Sequence, residues 1–231
     1  MPAFKVATFD CYGTLVDWEG GAATFLYDLA RRSGESEPES GMELRTRWEE
    51  IQFELLGEEY RSYTDVLSQS LRAWVGERGY RWNENDGQAF AKSMQSWQPF
   101  CDTIPALTRL HEAGVGLAIV SNTEHSIMDH TLRQLHPLEF DHVVVAEDVR
   151  CYKPDRRPFT RMLDEASVGP EEVLHVAFGF KYDIATAQEL GLGTAWINRH
   201  REPAPGEGPA PDHEWPDLWG LADHLAPAQS S

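Results

Sequence analysis

The sequence predicts an α/β protein in which a doubly wound parallel sheet carries an inserted α-helical cap. Three observations predict it. Short apolar runs alternate with helical stretches along most of the 231 residues, most runs are continuously apolar, and one long interval contains only helical patterns. Alternating strands and helices are typical of a parallel sheet. Continuously apolar runs suit strands that are buried on both faces.

Five runs rich in Val, Ile, Ala or aromatic residues are the predicted strands. In chain order they are "FKVATFD", "VGLAIVSN", "DHVVVAED", "VLHVAFGF" and "TAWINR". The predicted helices of this part are "TIPALTRLHEAG", "TEHSIMDHTLRQL", "RRPFTRMLDEASV" and "DIATAQELG". The first of these has Pro105 near its start and Gly114 at its end, where both residues are favoured.

The interval from about Gly20 to Pro99 has no strand pattern. Its four helical stretches are "AATFLYDLARRSG", "MELRTRWEEIQFELLG", "YTDVLSQSLRAWVGERG" and "DGQAFAKSMQSW". We therefore predict a core domain of residues 1–17 and 100–231 and a helical cap of residues 18–99. The later segment "REPAPGEGPAPDHEW" is rich in Pro and Gly and is predicted to be an irregular surface connection.

Charge and cysteine content limit the possible partners. A formal net charge of −18 argues against binding to nucleic acid or anionic membranes. The first residues lack a signal-peptide pattern, and no run approaches the roughly 20 apolar residues of a membrane helix. Cys11, Cys101 and Cys151 are an odd number without metal-ligand spacing. We expect reduced thiols in a cytoplasmic protein that acts on a small molecule.

Polar residues follow four of the predicted strands. Asp10 ends the first run, Ser121 and Asn122 end the second, Lys153 follows the third, and Asp183 follows the fourth. In open α/β sheets, ligands bind beyond the carboxyl ends of the strands. A buried carboxylate needs partners to offset its loss of hydration. These residues are therefore predicted to converge in one crevice.

Four segments carry a resemblance to a known family. "FDCYGTLVD", "IVSNT", "CYKPDRRPF" and "FKYDIATAQELG" occur in the order of the four motifs of the haloacid dehalogenase-like hydrolase superfamily. The matches run from about residue 5 to residue 198, and the helical interval takes the place of that superfamily's cap. "FDCYGTLVDW" and "YKP" most resemble the type II (S)-2-haloacid dehalogenases. The resemblance implies a Rossmann-like core.

The resemblance also implies catalytic roles for four residues. Asp10 would be a nucleophile that forms a covalent ester, and Thr14 would orient it. Lys153 would offset the repulsion between carboxylates, and Asp183 would orient or activate water. The alternatives are structural: a turn-capping Asp10, a surface Lys153, and Asp183 as the N-cap of "IATAQEL".

Other residues would contact the substrate. By resemblance, Ser121 and adjacent amides hold a substrate carboxylate and Asn122 lies near the leaving group, although both could instead cap the following helix. Cys11 and Tyr12 adjoin the nucleophile. The side chain of Cys11 is expected on the opposite face of the strand from Asp10, where it would pack in the core.

The family also uses a cap arginine to stabilise the departing halide. Arg45 and Arg61 are the candidates for this role, together with Arg47 on the same predicted helix as Arg45. A solvated position on the cap surface is the alternative for each of them.

Tyr12 separates two activities. Phosphatases of the superfamily carry a second Asp there as a general acid, because an alkoxide leaving group needs a proton. A halide needs none, so the sequence favours a cofactor-independent 2-haloacid dehalogenase. The alternatives are a phosphatase that holds Mg²⁺ with Asp10 and Asp183, or a weakly active relative that binds a small acid or a protein partner.

Phe178 and Phe180 motivate that last alternative. Dehalogenases of this type carry serine and asparagine at these positions, five and three residues before the final Asp. Either Lys181, Tyr182 or the backbone holds the attacking water here, or the second half-reaction differs. A homodimer is a further expectation from the resemblance.

Overall fold

The structure is a computed structural model that describes residues 4–203 and 210–227. Its internal contacts divide the chain into two compact units. The first comprises the described residues of 1–16, 99–122 and 135–231, and the second comprises residues 17–98 and 123–134. The second unit thus includes one helical segment outside the interval predicted as the cap. The domain boundaries derived from the sequence stay a prediction.

The first unit contains a six-stranded parallel sheet. The strands are β1 (Val6–Phe9), β2 (Gly116–Ser121), β3 (His142–Val145), β4 (Val173–Ala177), β5 (Gly193–Ile197) and β6 (His213–Trp215). Their spatial order is β3-β2-β1-β4-β5-β6, which is doubly wound. All five predicted strands are present, and the predicted fold class is confirmed.

The order of the strands determines where a ligand can bind. The chain adds β2 and β3 on one side of β1, then crosses to the other side to add β4, β5 and β6. Every residue of β1 and β4 is buried, which explains their largely apolar sequences; the polar exceptions are Thr8 in β1 and His175 in β4. The strand order reverses between β1 and β4, and a crevice forms beyond their carboxyl ends at such a point.

Ten α-helices are present in the described residues. They are α1 (Trp18–Arg32), α2 (Gly41–Leu56), α3 (Tyr63–Glu77), α4 (Asp86–Ser93), α5 (Thr103–Glu112), α6 (His125–Gln134), α7 (Ala146–Val149), α8 (Arg157–Ala166), α9 (Ala185–Glu189) and α10 (Leu218–Leu225). Two 3₁₀ segments (Met94–Ser96 and Pro170–Glu172) and a π-helical segment (Phe180–Ile184) complete the secondary structure. No helix within the described ranges has the length and apolar character that a membrane span requires.

The second unit is built from α1 to α4 and α6. Residues 20–99, all of which the structure describes, contain no strand, as predicted. Asp17, Ser40 and Ser62 begin α1, α2 and α3 by accepting backbone N–H groups with their side chains, which satisfies donors that a helix start leaves unpaired. The rings of Trp48 and Phe90 are fully buried and pack edge to face, 4.9 Å apart.

The prediction for the Pro/Gly-rich tail is partly wrong. Residues 204–209 of this segment lie outside the described residues, but its last part forms β6, which pairs in parallel with β5. The backbone N–H of Asn198 donates to the carbonyl of Trp215 at 2.8 Å. The preceding Asp212 accepts from the N–H of Thr194 at 2.8 Å. A three-residue edge strand is too short to show a periodic pattern in the sequence.

Candidate active site

Asp10 directly follows β1, which lies inside the sheet beside the point where the strand order reverses. Its Oδ1 accepts from Lys153 Nζ at 2.8 Å, and its Oδ2 accepts from Thr14 Oγ1 at 3.0 Å. Gly13 makes the return of the chain possible because its φ of 100° is a conformation that favours glycine. The turn brings Thr14 back to the carboxylate four residues earlier. Asp10 is buried, with 6% of its surface exposed.

Lys153 connects the two carboxylates. Its Nζ lies 2.8 Å from Asp10 Oδ1, 2.6 Å from Asp183 Oδ1 and 2.9 Å from the Val120 carbonyl. An ammonium group has three N–H donors, and these three acceptors use all of them. The predicted convergence of Asp10, Lys153 and Asp183 is confirmed by these distances. The buried lysine is not a surface residue, which removes that alternative.

Asn122 positions the lysine from the end of β2. Its Oδ1 accepts from the backbone N–H of Lys153 at 2.7 Å, and its Nδ2 donates to the Lys153 carbonyl at 3.1 Å. This reciprocal pair fixes the backbone beneath the ammonium group. The family resemblance implies that Asn122 lies near a leaving group, and the structure adds this contact to the lysine backbone.

The environments of the two carboxylates shift their pKa values in opposite directions. Burial raises the pKa of Asp10, and the charge of Asp183 adds to this effect while Lys153 opposes it. For Asp183, burial is outweighed by Lys153 and His175, so its pKa is lowered. Burial also works against the ammonium of Lys153, but Asp10 and Asp183 raise its pKa. Asp183 is therefore the more acidic carboxyl, and Lys153 stays charged.

The other candidate residues of the first unit are chain neighbours of residues already described: Cys11 and Tyr12 follow Asp10, and Ser121 precedes Asn122. Ser121 is buried at the end of β2, and its Oγ has no hydrogen-bond partner among the described residues. Tyr12 is half-buried in the turn after Asp10. Cys11 is fully buried, and burial raises the pKa of its thiol well above the ordinary value. A neutral, enclosed thiol suits core packing and excludes Cys11 as a nucleophile.

The candidate cap arginines belong to the second unit, where each contacts carboxylates. Arg45 binds Glu19 at 3.0 Å and also Glu49, and its guanidinium lies 5.2 Å from the ring centre of Trp18. Arg61 lies 2.5 Å from Glu58 and donates to Gln69 at 2.6 Å. Arg47 contacts Glu50 and Glu77.

The two phenylalanines that depart from the family pattern lie just beyond β4. The N–H of Phe178 donates to Thr14 Oγ1 at 3.0 Å, and its carbonyl accepts from Trp196 Nε1 at 2.9 Å. The ring of Phe180 packs edge-on against Trp196, with 5.5 Å between ring centres. Lys181 is exposed. The backbone of Phe178 therefore supports the threonine that donates to Asp10.

Three residues of this network were not predicted from the sequence: His175, Trp196 and Arg199. His175 interrupts the apolar run "VLHVA", which is an available signal for a buried polar contact. Arg199 follows β5 and donates to the Thr14 carbonyl at 2.8 Å and to Asp102 Oδ2 at 2.9 Å. Arg199 therefore supports the Asp10–Thr14 turn directly, and Trp196 supports it through Phe178. Both residues come from β5 or just after it, and β4 separates β5 from β1 in the sheet.

Fold and site together define a class of enzyme: a doubly wound α/β hydrolase with a strand-end carboxylate beside a lysine. A family model described as haloacid dehalogenase-like hydrolase matches residues 4–191. The chain belongs to this family. This membership confirms the resemblance found in the four motifs.

Named relatives and solved structures agree with this assignment. The chain is 26% identical over 232 residues to the (S)-2-haloacid dehalogenase H-109 of Pseudomonas putida, covering 97% of this chain and 99% of the relative. The L-2-haloacid dehalogenase RSc1362 superposes with a TM-score of 0.86 at 24% identity, covering 96% of this chain and 99% of the other. The L-2-haloacid dehalogenase of Xanthobacter autotrophicus superposes with a TM-score of 0.83 at 21% sequence identity. This match covers 98% of this chain and 100% of the other.

Proposed function

We propose that the protein is a dehalogenase that displaces halide from a short 2-haloacid through an ester on Asp10. The observation that carries the proposal is the buried Asp10–Lys153–Asp183 cluster with a tyrosine, Tyr12, at the position of a general acid. A nucleophile without a neighbouring acid suits a leaving group that needs no proton. Two relatives named (S)-2-haloacid dehalogenase, which match 97% and 86% of this chain, support it.

In the first half-reaction, Asp10 attacks the halogen-bearing carbon. The hydroxyl of Ser121, which has no hydrogen-bond partner within the described part of the chain, would bind the substrate carboxylate and fix the carbon in front of the nucleophile. A carboxylate oxygen forms the new C–O bond as the carbon–halogen bond breaks from the opposite side. The carbon is therefore inverted, and the halide leaves with the bonding electron pair.

In the second half-reaction, water attacks the carbonyl carbon of the Asp10 ester. Asp183 would accept the proton of this water, because its lowered pKa keeps it ionised. The bond between the Asp10 carbonyl carbon and the alkoxide oxygen then breaks, and the leaving alkoxide takes the proton back from Asp183 to give the hydroxyacid. Asp10 loses the second proton of the water to solvent, which restores its carboxylate. Lys153 remains beside both groups and offsets the charge that develops.

The donor set does not suit the Mg²⁺-dependent alternative. Mg²⁺ prefers six oxygen ligands in octahedral geometry, whereas Oδ1 of Asp10 and Oδ1 of Asp183 both bind the Lys153 ammonium. Among residues 4–203 and 210–227, no group of three or more His, Cys, Asp or Glu side chains is arranged to hold a metal ion. We therefore propose a reaction carried by the side chains alone.

A substrate panel tests the proposal. The purified protein is assayed with each enantiomer of 2-chloropropionate, with fluoroacetate and with p-nitrophenyl phosphate, with and without Mg²⁺. We expect halide release from at least one haloacid, at a rate that a metal chelator does not change. Turnover of p-nitrophenyl phosphate alone, dependent on Mg²⁺, would replace the proposal by the phosphatase alternative.

The pKa shifts predict the pH dependence of kcat/KM. Asp10 must be ionised to attack, so activity falls as the pH drops through its pKa. Burial raises that pKa, so the acid limb lies above the ordinary value of about 3.9. Lys153 has a raised pKa and stays charged to about pH 10. A pH profile with a halide-release assay should therefore be flat from neutral to alkaline pH, and a loss of activity between pH 7 and 9 would contradict this assignment.

A further inference from the structure

His175 is a fully buried titratable residue for which the proposed reaction has no role so far. It lies on β4, directly opposite Thr8 of β1 in the register of the sheet. Its Nδ1 is 2.9 Å from Thr8 Oγ1, and its Nε2 is 3.1 Å from Asp183 Oδ1. The ring of Phe159 packs edge-on against the imidazole, with 5.0 Å between centres. Both ring nitrogens of His175 thus have a hydrogen-bond partner.

These two contacts select one tautomer of His175. A carboxylate can only accept hydrogen bonds, so Nε2 must carry the proton that it donates to Asp183. In a neutral imidazole Nδ1 is then an acceptor, and the hydroxyl of Thr8 donates to it. The hydrogen bonds therefore run in one direction, from Thr8 to His175 to Asp183.

The result is an asymmetric carboxylate at Asp183. Oδ1 accepts from both Lys153 at 2.6 Å and His175 at 3.1 Å. Oδ2 lies over Gly179 so closely that a Cβ on this glycine would be 2.7 Å from it. Because donated hydrogen bonds disfavour protonation, Oδ1 is the less basic oxygen. Oδ2 is the oxygen better suited to receive a proton.

We propose that His175 is a positioning residue for the hydrolytic half-reaction, a role that rests on the proposed function. It holds Oδ1 of Asp183 so that Oδ2 accepts the proton of the attacking water. The water oxygen bonds to the Asp10 carbonyl carbon as its O–H bond breaks. The ester C–O bond then breaks, and the departing alkoxide of the hydroxyacid takes the proton back from Oδ2, while the second proton of the water leaves the Asp10 carboxyl group for solvent. His175 touches neither water nor ester and acts only through Asp183.

Trapping of the ester distinguishes this role from a merely structural one. In His175→Leu, hydrolysis should slow by roughly 10-fold to 100-fold, a part of what a general base supplies, while halide release in the first turnover keeps its rate. The Asp10 ester should then accumulate, and mass spectrometry of the quenched Asp10 peptide should detect it. His175→Gln, which can still donate an N–H, should recover part of the hydrolysis rate. Equal slowing of both steps, or no accumulated ester, would overturn the positioning role.

Two further measurements cover misfolding and failure of the proposed function. If His175→Leu has no cooperative melting transition, the same rates are measured on Thr8→Val to test the positioning role. This variant keeps the imidazole and removes only the Thr8 hydroxyl that donates to His175 Nδ1. Long-range ¹H–¹⁵N spectra of the wild type should show His175 with its proton on Nε2, independent of any substrate, and an Nδ1–H tautomer would overturn the proposal. Absence of haloacid turnover by the wild type would overturn the proposed function and, with it, the role in hydrolysis.

Discussion

Asp10→Asn should lower kcat for 2-chloropropionate by about 10⁴-fold or more, because an amide cannot form the ester that the reaction requires. The fold should be retained. Burial disfavours the charged form of Asp10, so a neutral side chain of nearly the same shape is tolerated there. The amide oxygen can still accept from Lys153 Nζ, which lies 2.8 Å from Oδ1 in the wild type. Activity and thermal melting measured on the same preparation check both expectations.

Asp129→Asn is a matched control for this substitution, because Asp129 is an exposed carboxylate on α6. It should leave both activity and melting temperature unchanged.

A single turnover of the wild type in heavy-oxygen water, with enzyme in excess, gives a sharper test of the ester mechanism. The label should enter Asp10 before any product does. Label found directly in the hydroxyacid, with none in Asp10, means that water attacks the substrate and that the ester mechanism is wrong.

The fold could be predicted from the sequence because its strands are buried on both faces. Such strands favour long apolar runs, and β1, β2 and β4 show them, with Thr8 and His175 as interior polar exceptions. The short edge strand β6 is only half covered and shows no such pattern. The same rule locates Asp10, because a charged residue directly after an apolar run marks the end of β1. Asp183 lies in the π-helical segment Phe180–Ile184 that follows β4, so the motif rather than the apolar pattern identified it.

The supporting contacts could not be predicted because they depend on the order of the strands. His175 faces Thr8 only because β1 and β4 are neighbours, although 167 positions separate the two residues. Likewise, Arg199 reaches the carbonyl of Thr14 from the end of β5. Sequence spacing places a residue at a strand end, but it does not identify the partner across the sheet.

Lys153→Met should be the most destabilising single change in the site. The substitution removes the ammonium that lies between two buried carboxylates at 2.8 and 2.6 Å. Breaking a buried ion pair from one side leaves uncompensated charge, which costs about 3 kcal/mol or more. For a chain of this size, that corresponds to a fall in melting temperature of roughly 6 to 12 °C at neutral pH. Lys92→Met, at an exposed lysine, is the control and should change stability by less than about 0.5 kcal/mol.

The pH dependence of this loss identifies its electrostatic cause. Without Lys153, the repulsion from Asp183 raises the pKa of Asp10 further, so Asp10 takes up a proton as the pH falls and the repulsion is relieved. The difference in unfolding free energy between wild type and Lys153→Met should therefore be large at pH 8 and smaller at pH 5.5. Adding Asp10→Asn to Lys153→Met should restore part of the stability at pH 8, because one of the two charges is gone. A loss that is the same at both pH values, and that Asp10→Asn does not reduce, would mean that Lys153 stabilises the core by packing rather than by neutralising the two carboxylates.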